Sequence, residues 1–283
     1  MTLNNNRDRQ RTRVVFVPVN AGGGGGSQAK IKVGENGLKF SYSTFTKVPD
    51  IFDFSDVTNW DHFFYQCDNL KSLNKLDVSS AENMVMAFYY CKTIESITFK
   101  SAPKLTECAS MFSNCNVLKE IPFVDTSRCI NFQYMFTACK EITTIPAIDT
   151  SNSQSFYRCF DSCSKLENIP PIDTSKATTT YSMFYKCSNL KSLPEMDFSN
   201  VLETSRMLES CGALTDLGGF VGLKCSLDLS YCSKLTHESL LNVINKAADV
   251  TSSPKTLTLG NTNLAKLSDE EKAVATAKGW TLA

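Results

Sequence analysis

The sequence predicts a solenoid: an α/β repeat of about eight stacked coils, with a β-hairpin over the N-terminal end and an α/β block over the other. Three observations carry this. Cys67, Cys91, Cys115, Cys139, Cys163, Cys187 and Cys211 are each 24 residues apart. Three residues before each cysteine stands Phe64, Phe88, Phe112, Phe136, Phe160, Phe184 or Leu208, and three after it Leu70, Ile94, Leu118, Ile142, Leu166, Leu190 or Leu214. A third apolar column follows at Leu73, Ile97, Ile121, Ile145, Ile169, Leu193 and Leu217. A fixed period of this length marks units that bury their apolar faces only against their neighbours.

The repeat spans 45–235. Its best copies are Phe112-Ser-Asn-Cys-Asn-Val-Leu-Lys-Glu-Ile-Pro-Phe-Val-Asp-Thr-Ser127 and the matching run from Phe160 to Ser175. Leu-x-x-Ile reads as a short strand, ended by Pro122, Pro146, Pro170 or Pro194 because proline donates nothing to a ladder. Asp-Thr-Ser then turns the chain through side-chain bonds to nearby amides, and a short helical turn should carry Met-Phe-x-x-Cys to the next strand. Seven full coils and a shortened one around Cys232 give a stack of roughly 35–40 Å at the strand spacing.

Two segments precede the repeat. Residues 1–26 form an arm: Arg7, Arg9, Arg11 and Arg13, a strand-like Val14, Val15, Phe16 and Val17, and five consecutive glycines, Gly22 to Gly26. A strand on a loose tether is expected to anchor the molecule by adding to a partner's sheet edge. Residues 27–44 read as the hairpin, with Ile31 and Val33 on one limb, Gly34-Glu35-Asn36-Gly37 at the turn, and Leu38, Phe40 and Tyr42 on the other. After Leu235 the period ends. Leu240, Leu241, Val243, Ile244 and Ala247 follow one helical face, Lys255 to Gly260 reads as a strand, and Ser268 to Glu271 as a capping box before a second helix. Residues 236–283 should therefore seal the far end.

Composition restricts the function classes. Lysine plus arginine equals aspartate plus glutamate, 29 each, so no global field draws in nucleic acid. Twelve cysteines suggest crosslinks, yet equivalent residues of stacked strands lie about 4.8 Å apart, wider than the ~3.8 Å between β-carbons that a disulfide prefers. The column is expected to be buried free thiols acting as small apolar fillers. Cys108 and Cys159 belong to other apolar columns. The run from Val14 is broken by Pro18 and reads as too short for a secretory signal, and no stretch has the length of a membrane span.

Catalytic and metal readings are weak. His62 and His237 are far apart in the chain, and no Cys-x-x-Cys occurs. The column Asp77, Asp125, Asp149, Asp173 and Asp197 lacks the glycine-rich pattern of a calcium ladder and is expected to cap turns. No cofactor is expected. The middle pairs of the strands, such as Lys119-Glu120 and Lys191-Ser192, are small or charged. Tyrosines gather near the turns instead: Tyr65, Tyr89, Tyr90, Tyr134, Tyr157, Tyr181 and Tyr185. They form the candidate binding surface, being stiff and amphipathic; the plainer reading is that they fill gaps between coils.

The motifs Met183-Phe-Tyr-Lys-Cys-Ser-Asn-Leu190 and Asp53-Phe-Ser-Asp-Val-Thr-Asn-Trp60 resemble those of BspA-like leucine-rich-repeat surface proteins of gut bacteria and phages, over about two thirds of the chain. The resemblance implies a leucine-rich-repeat solenoid, adhesion at a cell or virion surface, and no catalytic residues. The leading expectation is a non-enzymatic virion fibre or decoration subunit. Its N-terminal arm would hold other virion proteins, and its solenoid would meet a host protein or glycan. Nucleic-acid binding and membrane insertion are not expected; a homo-oligomer is possible. A bacterial cell-surface adhesin and a cytoplasmic protein-binding scaffold are the alternatives.

Overall fold

A computed structural model describes residues 30–34, 38–100 and 102–283. The chain winds as a solenoid of about ten turns with the 24-residue period. Its strands are short: β1 (Ile31–Lys32), β2 (Phe52–Asp53), β3 (Ser72–Leu76), β4 (Ser96–Phe99), β5 (Ser192–Leu193), β6 (Met196–Asp197), β7 (Asp216–Leu217), β8 (Phe220–Val221) and β9 (Leu227–Asp228). The end block adds α1 (His237–Lys246), β10 (Lys255–Thr258), α2 (Gly260–Leu264), α3 (Asp269–Ala277) and β11 (Trp280–Leu282). All pairings are parallel: β1 with β2, β3 with β4, β5 with β7, β6 with β8, and β9–β10–β11 in one sheet.

The N-terminal segment caps the stack as expected, Leu38 donating back across the turn to the Val33 carbonyl at 3.3 Å, but its strand pairing is with the next coil. Instead of an antiparallel partner at 38–42, β1 finds a parallel one in β2, and Phe40 and Tyr42 donate to the carbonyls of Phe63 and Tyr65 in the next coil. The segment caps the stack as a further coil. Phe40 lies one period before Phe64, and Ser43, one period before Cys67, places its hydroxyl 3.3 Å from the Cys67 thiol. A stack propagates its own geometry, so a coil bonded to the next satisfies more backbone than an isolated hairpin does.

The expected short helical turn is also replaced. Among the described residues no α-helix precedes His237. Each coil instead carries two left-handed residues four positions apart, such as Tyr134 (φ 55°) with Ala138 (φ 58°), and Arg158 (φ 52°) with Ser162 (φ 62°). This geometry points alternate amides along the stack. Phe112 donates to Met135 at 3.0 Å, Phe136 to Cys159 at 2.9 Å and Phe160 to Met183 at 2.9 Å. Each left-handed non-glycine residue costs roughly 1 kcal/mol, held in place by the ladder above and below.

The strand side is thinner. Where the position seven after the cysteine is Asn74 or Thr98, strands of five and four residues form (β3 and β4). Where it is Pro122, Pro146 or Pro170 no strand forms, and Ile121, Phe123, Ile145 and Ala147 donate no hydrogen bond to the described residues. The missing proline N–H interrupts the ladder; at Pro194 the break extends only through Glu195, with β5 and β6 on either side.

The Asp-Thr-Ser turn behaves as read. Asp125 accepts from the Ser127 amide at 3.1 Å and its hydroxyl at 2.7 Å, and Asp197 does the same with Ser199 at 2.8 and 2.6 Å. The middle threonine adds a link between coils: the hydroxyls of Thr126, Thr150 and Thr174 donate to the carbonyls of Asp149, Asp173 and Asp197 at 2.7, 2.9 and 2.7 Å.

At the far end Thr236 caps α1 and Ser268 closes the expected capping box with Glu271. Buried Leu240, Val243, Ile244 and Trp280 cover the last coil. Among the described residues no helix is long and apolar enough to cross a membrane.

Candidate binding face

The turn run has an inward and an outward side, set by the alternation of its residues. Inward, the phenylalanines stack in one file, with ring centroids 5.6 Å apart for Phe64–Phe88, 5.4 Å for Phe136–Phe160 and 5.4 Å for Phe160–Phe184, all within 11° of parallel. Beside them all twelve cysteines are free thiols, eleven of them buried.

The seven-cysteine column is more than filler. Each thiol donates to the carbonyl of the phenylalanine 27 residues earlier: Cys67 to Phe40 at 3.1 Å, Cys91 to Phe64 at 3.0 Å, Cys139 to Phe112 at 3.2 Å and Cys211 to Phe184 at 3.0 Å. From Phe88 to Phe184 the same carbonyls accept the amide of the cysteine in their own coil, as from Cys115 to Phe112 at 3.1 Å, and Phe40 accepts that of Ser43 at 3.0 Å. A thiol here fills an apolar site and supplies a weak donor, which alanine or valine cannot do. Burial pushes Cys139 and Cys211 up to about 12, so neither forms thiolate near neutral pH and both are poor nucleophiles.

Outward, the seven tyrosines of the sequence reading all lie on the turn side and all are half-buried. They fall into two groups. Tyr65 and Tyr89 stack at 5.2 Å and 11°, Tyr90 lies 4.7 Å from Tyr89, and Lys92 sits 5.0 Å over the Tyr90 ring. Tyr42, placed in the hairpin by the sequence reading, joins this group at 5.4 Å from Tyr65 and is half exposed. Two coils on, Tyr134 meets Tyr157 edge-on at 5.3 Å and Tyr157 stacks on Tyr181 at 4.9 Å and 9°. Buried Ser110 and Ser113 separate the groups.

The second group is threaded by arginines, which the sequence reading missed. Arg158 lies 5.9 and 5.7 Å from the Tyr157 and Tyr181 rings and pairs with buried Asp161 at 3.1 Å. Arg206 sits 4.3 Å over Tyr185 and grips Glu209 at 2.8 and 3.3 Å. The Arg206 guanidinium, then that of Arg158, holds the Tyr181 phenol below its usual range. Both arginines occupy one column, two periods apart and one position after the column of Tyr157 and Tyr181, a spacing that could have flagged them.

The other candidates resolve simply. His62 bonds Asp61 at 2.8 Å and lies 5.0 Å from the Tyr65 ring, whereas Cys67 points inward to Phe40. Among the described residues no cluster of three or more metal-ligating side chains occurs. The strand-side charges pair with each other across coils, Lys165 with Glu141 at 2.7 Å and Lys191 with Glu167 at 2.5 Å. The anchor candidates Val14, Val15, Phe16 and Val17 lie outside the described residues.

Comparison with known families agrees with this geometry. Residues 55–146 match, in six copies, the family model described as BspA type leucine rich repeat region. Residues 106–217 match that described as Mycoplasma protein of unknown function, DUF285. No curated protein matches the chain. The two matches together run over the coils whose cysteine, phenylalanine and leucine columns build the stack, and both support a BspA-like leucine-rich-repeat solenoid for this part of the chain.

Proposed function

We propose that this protein is a non-enzymatic recognition protein whose outward turn face binds a macromolecular partner at a cell or virion surface. The observation that carries the reading is the alignment of tyrosines and arginines on that face. Their rings are held stiff by stacking on neighbouring coils, so little side-chain freedom is lost on binding. Tyrosine and arginine are also the residues in which binding energy concentrates at protein interfaces. The family's character as a surface scaffold supports the same reading.

The finer assignment is a phage fibre or decoration subunit, anchored by residues 1–26 and presenting the solenoid to the host. Twelve free thiols favour it over an exported adhesin, since a virion part assembles in a reducing cytoplasm. Mass spectrometry of purified particles and of washed cell envelopes separates the two. Recovery from particles, lost on deleting residues 1–26, is expected; recovery from envelopes alone overturns the virion assignment. For the face itself, a Tyr157→Ser, Tyr181→Ser double variant should keep the fold and lose at least about tenfold in adsorption to host cells. Unchanged adsorption removes this face from recognition.

A further inference from the structure

One left-handed residue breaks the pattern of the whole stack. Among the described residues every other non-glycine residue with positive φ falls at one of the two turn positions of a coil; Lys75, at φ 56°, lies on the strand side within β3. It coincides with the irregularity in the β3–β4 register between Leu73 and Leu76, and its amide leaves the ladder to bond the Thr98 hydroxyl at 2.7 Å. A bulge of this kind re-aims a side chain, and strain at a single site is kept where the structure uses it.

Lys75 is aimed at a groove. Between the first two coils a cavity of about 550 Å³ opens, with Lys47, Lys75 and Lys100 at its rim, Asp50 and Asn74 beside them, and the buried edge of Phe52 on its floor. That volume suits a small ligand of two or three rings. Lys100 is held by Asp77 at 2.8 Å and Lys47 loosely by Asp50 at 3.6 Å, whereas Lys75 makes no ion pair with the described residues. The Asp77 carboxylate is occupied by Ser79 as well as Lys100. With Lys30, which also lines the cavity and makes no ion pair with the described residues, the groove offers two uncommitted ammoniums and a third weakly committed one, next to carboxylate and amide groups suited to hydroxyls.

We infer that this groove binds an acidic saccharide, a chain of sugars bearing carboxylates such as a uronic-acid oligomer. Lys75 and Lys47 would take the carboxylate, Asp50 and Asn74 the hydroxyls, and the apolar floor the C–H face of a ring. An acidic peptide would use the lysines but leave the hydroxyl partners idle. The site lies on the strand side, and the inference is independent of the tyrosine face.

The test is calorimetric titration of the full chain with trigalacturonic acid, its methyl ester and hexaglutamate. The acid should bind, more weakly as salt is raised, and the ester at least about tenfold more weakly. Lys75→Gly should lose a similar factor in affinity while the unfolding midpoint holds or rises, since glycine relaxes the left-handed backbone. Lys75→Asn, which also accepts that conformation, should behave alike, and Lys165→Ala, a strand-side lysine outside the groove, should bind as the parent does. No binding of the acid, equal binding of acid and ester, binding of the peptide alone, or full affinity in Lys75→Gly would each overturn the inference.

Discussion

The turn side and the strand side of the same coils are held in different ways. On the turn side the coils from Phe64 to Phe184 repeat one set of bonds: a phenylalanine amide to the next coil, a cysteine thiol back to the phenylalanine carbonyl, and a ring on a ring. On the strand side the ladder thins through the central coils: Lys119 and Glu167 still donate to the Glu95 and Thr143 carbonyls at 3.4 and 2.9 Å, but the amides flanking the proline seven after the cysteine donate to none of the described residues. The name of the repeat points to leucines and strands, yet in the central coils the backbone register is fixed at the turns. A side that fixes register tolerates little change, and a side with a thinner ladder is freer to vary; the Lys75 bulge, where the β3–β4 register slips, and the charge pairs between coils both lie on the strand side.

Substitutions can break this contrast. Phe136→Ala, in the middle of the stacked file, should cost about 3–5 kcal/mol in urea unfolding, the range for emptying a buried aromatic site. Cys139→Ala should cost about 1–3 kcal/mol, combining lost volume with loss of the donor to Phe112. Cys139→Ser should recover part of this, because Ser43 already stands in the column. On the other side Pro146→Ala should change stability by no more than about 1 kcal/mol, through the freedom of the unfolded chain. If Pro146→Ala costs as much as Phe136→Ala, the asymmetry is wrong.

The smallest effect is in acid. The Ser55 backbone amide and side chain, with Lys32 adding to them, lower the Asp53 carboxyl from 3.8 to about 2. The unfolded chain therefore takes up this proton first. The stabilisation is complete above about pH 4 and fades as pH falls through about 2. Asp53→Asn keeps an acceptor for the turn and should flatten the acid limb of the stability profile, by a modest amount because the group is partly exposed. An unchanged acid limb in that variant would remove Asp53 from the account.

Much of the inward side was legible from one sequence because a strict period exposes every column at once: the phenylalanine file, the buried thiols and the aspartate caps. The rest was hidden for physical reasons. Ser43 keeps the thiol's place without its sulfur, so the N-terminal cap read as a hairpin and its continuation of the repeat went unseen. Left-handed turns usually announce themselves with glycine, but here tyrosine, arginine, serine and alanine take them, forced by bonds from neighbouring coils. The thiol-to-carbonyl bond depends on a carbonyl 27 residues away, which no local pattern shows. The tyrosines were visible as a set; the split into two groups, and the arginines within the second, needed the stack.

Residue-resolved native-state hydrogen exchange tests the central claim most directly. The turn-side amides of Phe112, Phe136 and Phe160 should exchange only through global unfolding, while the amides of Ile121, Phe123, Ile145 and Ala147 exchange at least about a hundredfold faster. Equal protection on both sides, or faster exchange at the phenylalanines, would contradict a stack whose register is set at its turns.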